Sequence, residues 1–230
     1  MSRTQVYDLA NGDVRALNQQ LHELGDADFE TPWRVLHPKG AHAIACGISV
    51  PVHVVIEGHA GYYCAGMNQR AHVEIDGNCG VGVAENLMSG SVRVRGHASQ
   101  SAGASGHGGL LVIEGNASAR CGISMKGIDI VVRGSVGHMS GFMAQLGNLV
   151  VCGDAGEALG DSLYEARIFV RGQVKDLGAD CIEKEMRDSH REQLALLLKE
   201  AEIDADPGAF RRYGSARRLY RFDIDHVDQY

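Results

Sequence analysis

No stretch of the 230-residue chain approaches the roughly 18 consecutive apolar residues of a membrane span. Residues 1–5 are not followed by an apolar run, so a secretory signal is not expected and a cytoplasmic location is. None of the six cysteines is spaced C-x-x-C, which excludes zinc ribbons and thioredoxin-like motifs. Without a secretory context their even number is poor evidence for disulfides, and buried free thiols are expected. Positive charge is in deficit: 22 basic against 29 acidic residues leave −7, which argues against a general nucleic-acid or anionic-membrane surface. Proline is scarce, at 4, and the glycines have no three-residue period, so collagen and Pro/Gly low complexity are excluded.

What the chain has in excess is glycine, 30 residues, and its placement decides the fold. Glycines recur at 58, 77, 96, 115, 134, 153 and 172, always 19 residues apart. Before each stands a β-rich run, from Val54-Val55-Ile56-Glu57 to Ile168-Phe169-Val170-Arg171. Four residues before the glycine the residue is always aliphatic (Val54, Val73, Val92, Leu111, Ile130, Leu149, Ile168). The same holds two residues before it, and period-2 spacing puts both columns on one face of a strand. Two residues after the glycine the chain is small and apolar again, from Ala60 to Val174. One 19-residue coil cannot bury its own apolar face, but stacked coils can.

The expected fold is all-β: a right-handed parallel β-helix of about seven coils, each of three short strands and tight corners, with helical extensions at both ends. Corner glycines are expected where φ is positive or where backbones approach closely. The expected organisation is an N-terminal strand and helix cap over 1–33, the β-helix over 34–180, and a C-terminal helix and partner-binding tail over 181–230. Residues 4 to 9 read as a strand, and Val14, Leu17, Leu21 and Leu24 as a helical stripe. Ser189-His190-Arg191-Glu192 reads as a capping box opening a helix to about residue 202, and Asp206-Pro207 as a second helix start. These helices are expected to cover the open edges of the end coils. The segment from Phe210 to Tyr230, rich in arginine and tyrosine and without strong periodicity, is a candidate arm for a partner.

Candidate chemistry is sparse. His53 and His72 share a repeat position one coil apart; His59 and His97 share another, two coils apart, and no third ligand falls near either pair. Cys64 and Cys121 share a column three coils apart. Ser101, Ser105 and His107 lie in one glycine-rich corner without a nucleophile elbow. Glu57, Asp76, Arg95, Glu114, Arg133 and Arg171 form an outward column of mixed sign, an ion ladder rather than a carboxylate site. No catalytic, cofactor-binding or metal residue is assigned.

The unit Gly-x-x-Gly-x-x-x-Gly is complete at Gly134/Gly137/Gly141 and Gly153/Gly156/Gly160, with partial copies starting at Gly58, Gly77, Gly96 and Gly115. Over about residues 35 to 180 it resembles the GXGXG family, which includes the C-terminal β-helix domain of the glutamate synthase large subunit and its stand-alone relatives. That resemblance implies a non-catalytic structural subunit joining an amidotransferase-like subunit to an FMN-binding, iron–sulfur-containing synthase-like subunit. With the ending 204–217 it also implies similarity to the GXGXG subunit of N-methylglutamate synthase, whose complex turns glutamate and methylamine into N-methylglutamate and ammonia. FMN and the iron–sulfur cluster would then lie on a partner, and no cofactor in this chain. The alternatives are a scaffold subunit of a formylmethanofuran dehydrogenase-type complex, which shares the repeat, and an independent β-helix enzyme.

One outward column raises a partner question. Val112, Val131, Val150 and Phe169 form an apolar stripe over adjacent coils, about 14 Å long at roughly 4.8 Å per coil. Either the 190–202 helix lays Leu194, Leu197 and Leu198 on it, or a partner subunit covers it.

Overall fold

A computed structural model describes residues 4–26 and 31–217. The seven β-rich runs form one parallel ladder: β3 (His53–Glu57), β4 (His72–Ile75), β5 (Ser91–Val94), β6 (Leu110–Ile113), β7 (Lys126–Val132), β8 (Leu146–Val151) and β9 (Arg167–Val170). Val54 pairs with Val73, Val73 with Val92, and so on to Leu149 with Ile168, the 19-residue register of the sequence. Before them, β1 (Gln5–Asp8) and β2 (Trp33–Leu36) extend the same parallel ladder. The protein is a β-solenoid of about seven turns with two helices near its termini, and its principal core is the stack of inward aliphatic columns.

The cross-section is less regular than three strands per coil. The second side is a single bridge per coil, Ala60 to Cys79, Cys79 to Ala98, and onward to Val174. The third side is a stack of turns in which every second residue is left-handed. In the coil after Gly58 these are Tyr63, Ala65 and Met67 (φ 59, 54 and 59°); in the coil after Gly134 they are Met139, Gly141 and Met143 (φ 55, 70 and 52°). Each non-glycine residue held there costs on the order of 1–2 kcal/mol, which the stacked hydrogen bonds must offset. Tyr63 N–H donates one coil forward to Val81 O at 2.8 Å, and Ala65 N–H one coil back to Ile44 O at 2.9 Å.

The glycine columns divide by cause. At 103, 122, 141 and 160 φ is positive, 65 to 70°. At 77, 96, 115, 134, 153 and 172 the backbone is not left-handed. There a Cβ on Gly77 would stand 2.7 Å from the Gly58 carbonyl, so close approach excludes a side chain.

The ends close differently from each other. Helix α1 (Val14–His22), capped by Asp13, buries Leu17 and Leu21 in the core. Its Asn18 substitutes for a missing coil: Nδ2 donates to Ala43 O at 2.8 Å and Oδ1 accepts from Ala45 N–H at 2.9 Å. At the other end the edge is covered by strands, not by a helix. β11 (Arg211–Ser215) pairs antiparallel with β9, and β10 (Cys181–Lys184) pairs antiparallel with β11. The start of the expected partner arm is therefore sheet; residues 218–230 of that arm lie outside the described residues.

Helix α2 (Asp188–Glu200) is capped by Arg187, two residues before the expected Ser189, and Arg187 N–H donates to His190 Nδ1 at 3.2 Å. It crosses the outer sheet face rather than an end. Asp206 caps only a short 3-10 turn, Pro207–Ala209.

Candidate interaction surfaces

The outer apolar stripe is covered within the chain. Val112, Val131, Val150 and Phe169 pack with Leu194, Leu197, Leu198, Ala201 and Phe210 in a second core, separate from the first, and Val131 is wholly buried. A partner subunit is therefore not what covers this stripe. Thirteen helical residues at about 1.5 Å rise span about 20 Å, four coils at roughly 4.8 Å each. The middle and the C-terminal end of α2 are tied to the sheet. Arg167 Nη1 donates to Gln193 Oε1 at 2.7 Å, and Arg93 Nη2 donates to Ala201 O at 3.1 Å, a cation at the negative end of the helix.

Arg93 also enters the outward ion ladder. Its Nη1 lies 3.1 Å from Glu114, which meets Arg95 at 2.5 Å, and Arg95 meets Glu74 at 2.6 Å. The ladder alternates in sign and neutralises itself, so it clamps strands rather than presenting carboxylates. Beneath α2, Asp129 accepts from Asn148 Nδ2 at 2.7 Å and from Asn148 N–H at 3.1 Å. Burial, and secondarily the Glu200 carboxylate, push Asp129 above the ordinary carboxylate range.

The histidine columns are structural. His59, Asn78, His97, Asn116, Ser135 and Asp154 occupy one corner position, and each side chain accepts the backbone N–H of the next coil. The six bonds run from Asn78 N–H to His59 Nδ1 (2.9 Å) to Gln173 N–H to Asp154 Oδ1 (2.7 Å). His59 and His97 thus spend Nδ1 on backbone. His53 lies in register with His72, whose Nδ1 meets Ser91 Oγ at 2.8 Å. Among the described residues no group of three or more His, Cys, Asp or Glu is placed to hold a metal ion.

All six cysteines are free and buried. A hydrogen bond with Cys79, then burial, raises the Cys64 thiol, and burial pushes Cys121 up to about 12 and Cys181 to about 11. Thiols held neutral in this way are poor nucleophiles. Ser101 and Ser105 are left-handed residues of the turn stack, and among the described residues no hydrogen bond joins their side chains to His107.

The turn face remains. Nine large apolar side chains are exposed among the described residues, and six of them lie on this face or where it joins the sheet: Tyr62, Tyr63, Met67, Met88, Met143 and Leu146. Tyr62 is fixed by stacking on His42, with ring centroids 4.5 Å apart. Methionines and tyrosines adapt to and anchor protein interfaces, and the face runs along the solenoid. Sequence reading missed this surface because these residues stand at repeat positions that hold small or polar residues in other coils, such as His107 and Gln145 in the column of Met88.

A curated relative, Protein GlxC of Rhizobium meliloti (strain 1021), is 59% identical over 226 residues, 98% of this chain and 99% of that protein. The chain belongs to the GlxC family. No family model matches it, and no solved structure does. The β-solenoid agrees with the GXGXG repeat, so the GlxC-family chain has the fold that the repeat implies. Among its described residues no helix is long and apolar enough to cross a membrane.

Proposed function

We propose that this GlxC-family chain is a non-catalytic structural subunit of a glutamate-synthase-like complex, N-methylglutamate synthase in the first instance. In this reading it bridges an amidotransferase-like subunit and an FMN-binding synthase-like subunit, and the turn face is where one of them docks. The carrying observation is the concentration of exposed Tyr62, Tyr63, Met67, Met88, Met143 and Leu146 on one long face, while the other apolar face is already covered by α2. Rigid stacked coils hold distant points of such a face at fixed separation, the mechanical requirement of a bridge between two catalytic subunits. The flavin and iron–sulfur chemistry belongs to the partners, and this chain binds neither.

The test is reconstitution. The chain made alone is expected to be colourless and inactive, and N-methylglutamate formation is expected only when it is combined with both partner subunits. Met67→Lys with Met143→Lys should leave its melting temperature unchanged and abolish assembly with the subunit that docks on the turn face. A flavin spectrum or turnover by the isolated chain would overturn the reading in favour of an independent enzyme.

A further inference from the structure

Four basic side chains converge at the C-terminal end of the outer sheet face, and one carboxylate faces them. Arg212 on β11 stands opposite Phe169 of β9, so it shares the outer face with Arg167, two residues earlier on β9. Lys184 stands opposite Arg212 on β10. Gly214 forms the floor between them: Lys184 Cγ and Arg212 Nη1 lie 3.5 and 3.8 Å from where a Cβ would stand, and the nearest atoms to that point belong to these two side chains. Arg187, at the start of α2, closes the remaining side, and its Nε meets the Glu185 carboxylate at 3.2 Å.

The guanidinium groups are held, not loose. Arg212 Nε donates to Glu185 O at 2.9 Å, and Arg167 Nη1 donates to Gln193 Oε1 at 2.7 Å. Their partners are a carbonyl and an amide; among the described residues no carboxylate lies within 4.0 Å of Arg167, Lys184 or Arg212. Asp188 is engaged by Arg191 at 2.9 Å. Burial and the facing Arg167 and Arg187 depress Arg212, and burial with Arg212, Arg167 and Arg187 depresses His190. An arginine also stands where a helix ordinarily has Ser, Thr, Asp or Asn, so positive charge meets the positive end of α2.

A self-repelling cluster of this kind in a chain of net charge −7 breaks the local rule that the rest of the molecule obeys. We propose that this notch binds a small oxyanion, a phosphate or carboxylate ligand, held by Arg167, Lys184, Arg187 and Arg212. Tethered guanidinium forks match the paired oxygens of such anions, and partial burial limits screening by salt. The inference is independent of the scaffold reading.

The test titrates inorganic phosphate, and separately glutarate, into the full chain at constant physiological ionic strength. Heat and the His190 ring resonances are followed. Saturable one-site binding of at least one probe is expected, with phosphate alone, glutarate alone or both identifying the oxyanion class. Arg212→Gln should weaken it about tenfold or more, the effect of losing a charge-assisted hydrogen bond, while Arg120→Gln on the turn face should not. Should Arg212→Gln fail to fold, Lys184→Gln at the rim gives the same comparison. A response that does not saturate, is matched by chloride, or is equal in Arg120→Gln and the notch variants overturns the site.

Discussion

Val131→Lys separates the two layers of the molecule. Val131 is fully buried between Val112 and Val150 and beneath the α2 leucines, on the side of β7 facing away from the solenoid core. The substitution removes about 1.5–3 kcal/mol of valine burial and asks an ammonium to sit among aliphatic side chains, at a further cost of a few kcal/mol. The lysine can escape only by lifting α2. A net loss of about 3 kcal/mol corresponds to roughly 6–12 °C in melting temperature for a chain of this size. The loss should be local. Hydrogen exchange should show the 188–200 amides losing protection while β3 to β6 keep theirs, because their core columns are untouched. Unchanged α2 protection together with a melting temperature within two or so degrees of wild type would refute the second core as the element that holds the helix.

Val132→Asp points the other way, into the stacked column between Ile113 and Val151, where a buried unpaired carboxylate should cost several kcal/mol and unfold the solenoid itself, read by far-UV circular dichroism. Asn18→Ala removes both bonds that α1 makes to Ala43 and Ala45 and should lower stability by about 2–4 kcal/mol in a denaturant melt. Asp129 is shifted upward, so its protonated form is favoured by folding: the stability this confers is present at acid pH and is lost as pH rises through its folded value. Asp129→Asn should therefore raise the melting temperature at pH 7, with the gain vanishing below the unfolded carboxylate range; an equal gain at all pH values would contradict the assigned cause. Cys121, pushed up to about 12, should react with a thiol reagent at pH 8 only as fast as the protein unfolds.

The coil, its period and its inward columns were legible because seven copies of one pattern average out local ambiguity. The burial of Val54, Ile56 and their repeats follows directly from alternation. The inward column two residues after each glycine was equally readable. Three features were not. The turn stack replaced a third strand because Tyr63, Arg120 and Met139 take left-handed backbone that their side chains do not advertise; the stacking of neighbouring coils imposes it. The closure by β11 was hidden because Arg211–Ser215 has no alternation of its own and is a strand only through β9 and β10. The stripe at Val112, Val131, Val150 and Phe169 was visible as needing cover, yet its occupant was decided by the length and placement of α2, which sequence spacing does not give. The basic notch was missed for the same reason: Arg167, Lys184, Arg187 and Arg212 are scattered along the chain and meet only when β11 inserts beside β9.

The central claim is that this chain works as the frame of a larger enzyme. The most direct measurement is to isolate it at native abundance through a terminal tag and identify by mass what accompanies it in stoichiometric amount. An amidotransferase-like and an FMN-binding synthase-like subunit are expected, and the one that docks on the turn face should be lost on Met67→Lys with Met143→Lys while the other is kept. Recovery with amidohydrolase-like partners, or of the chain alone and active, would contradict it.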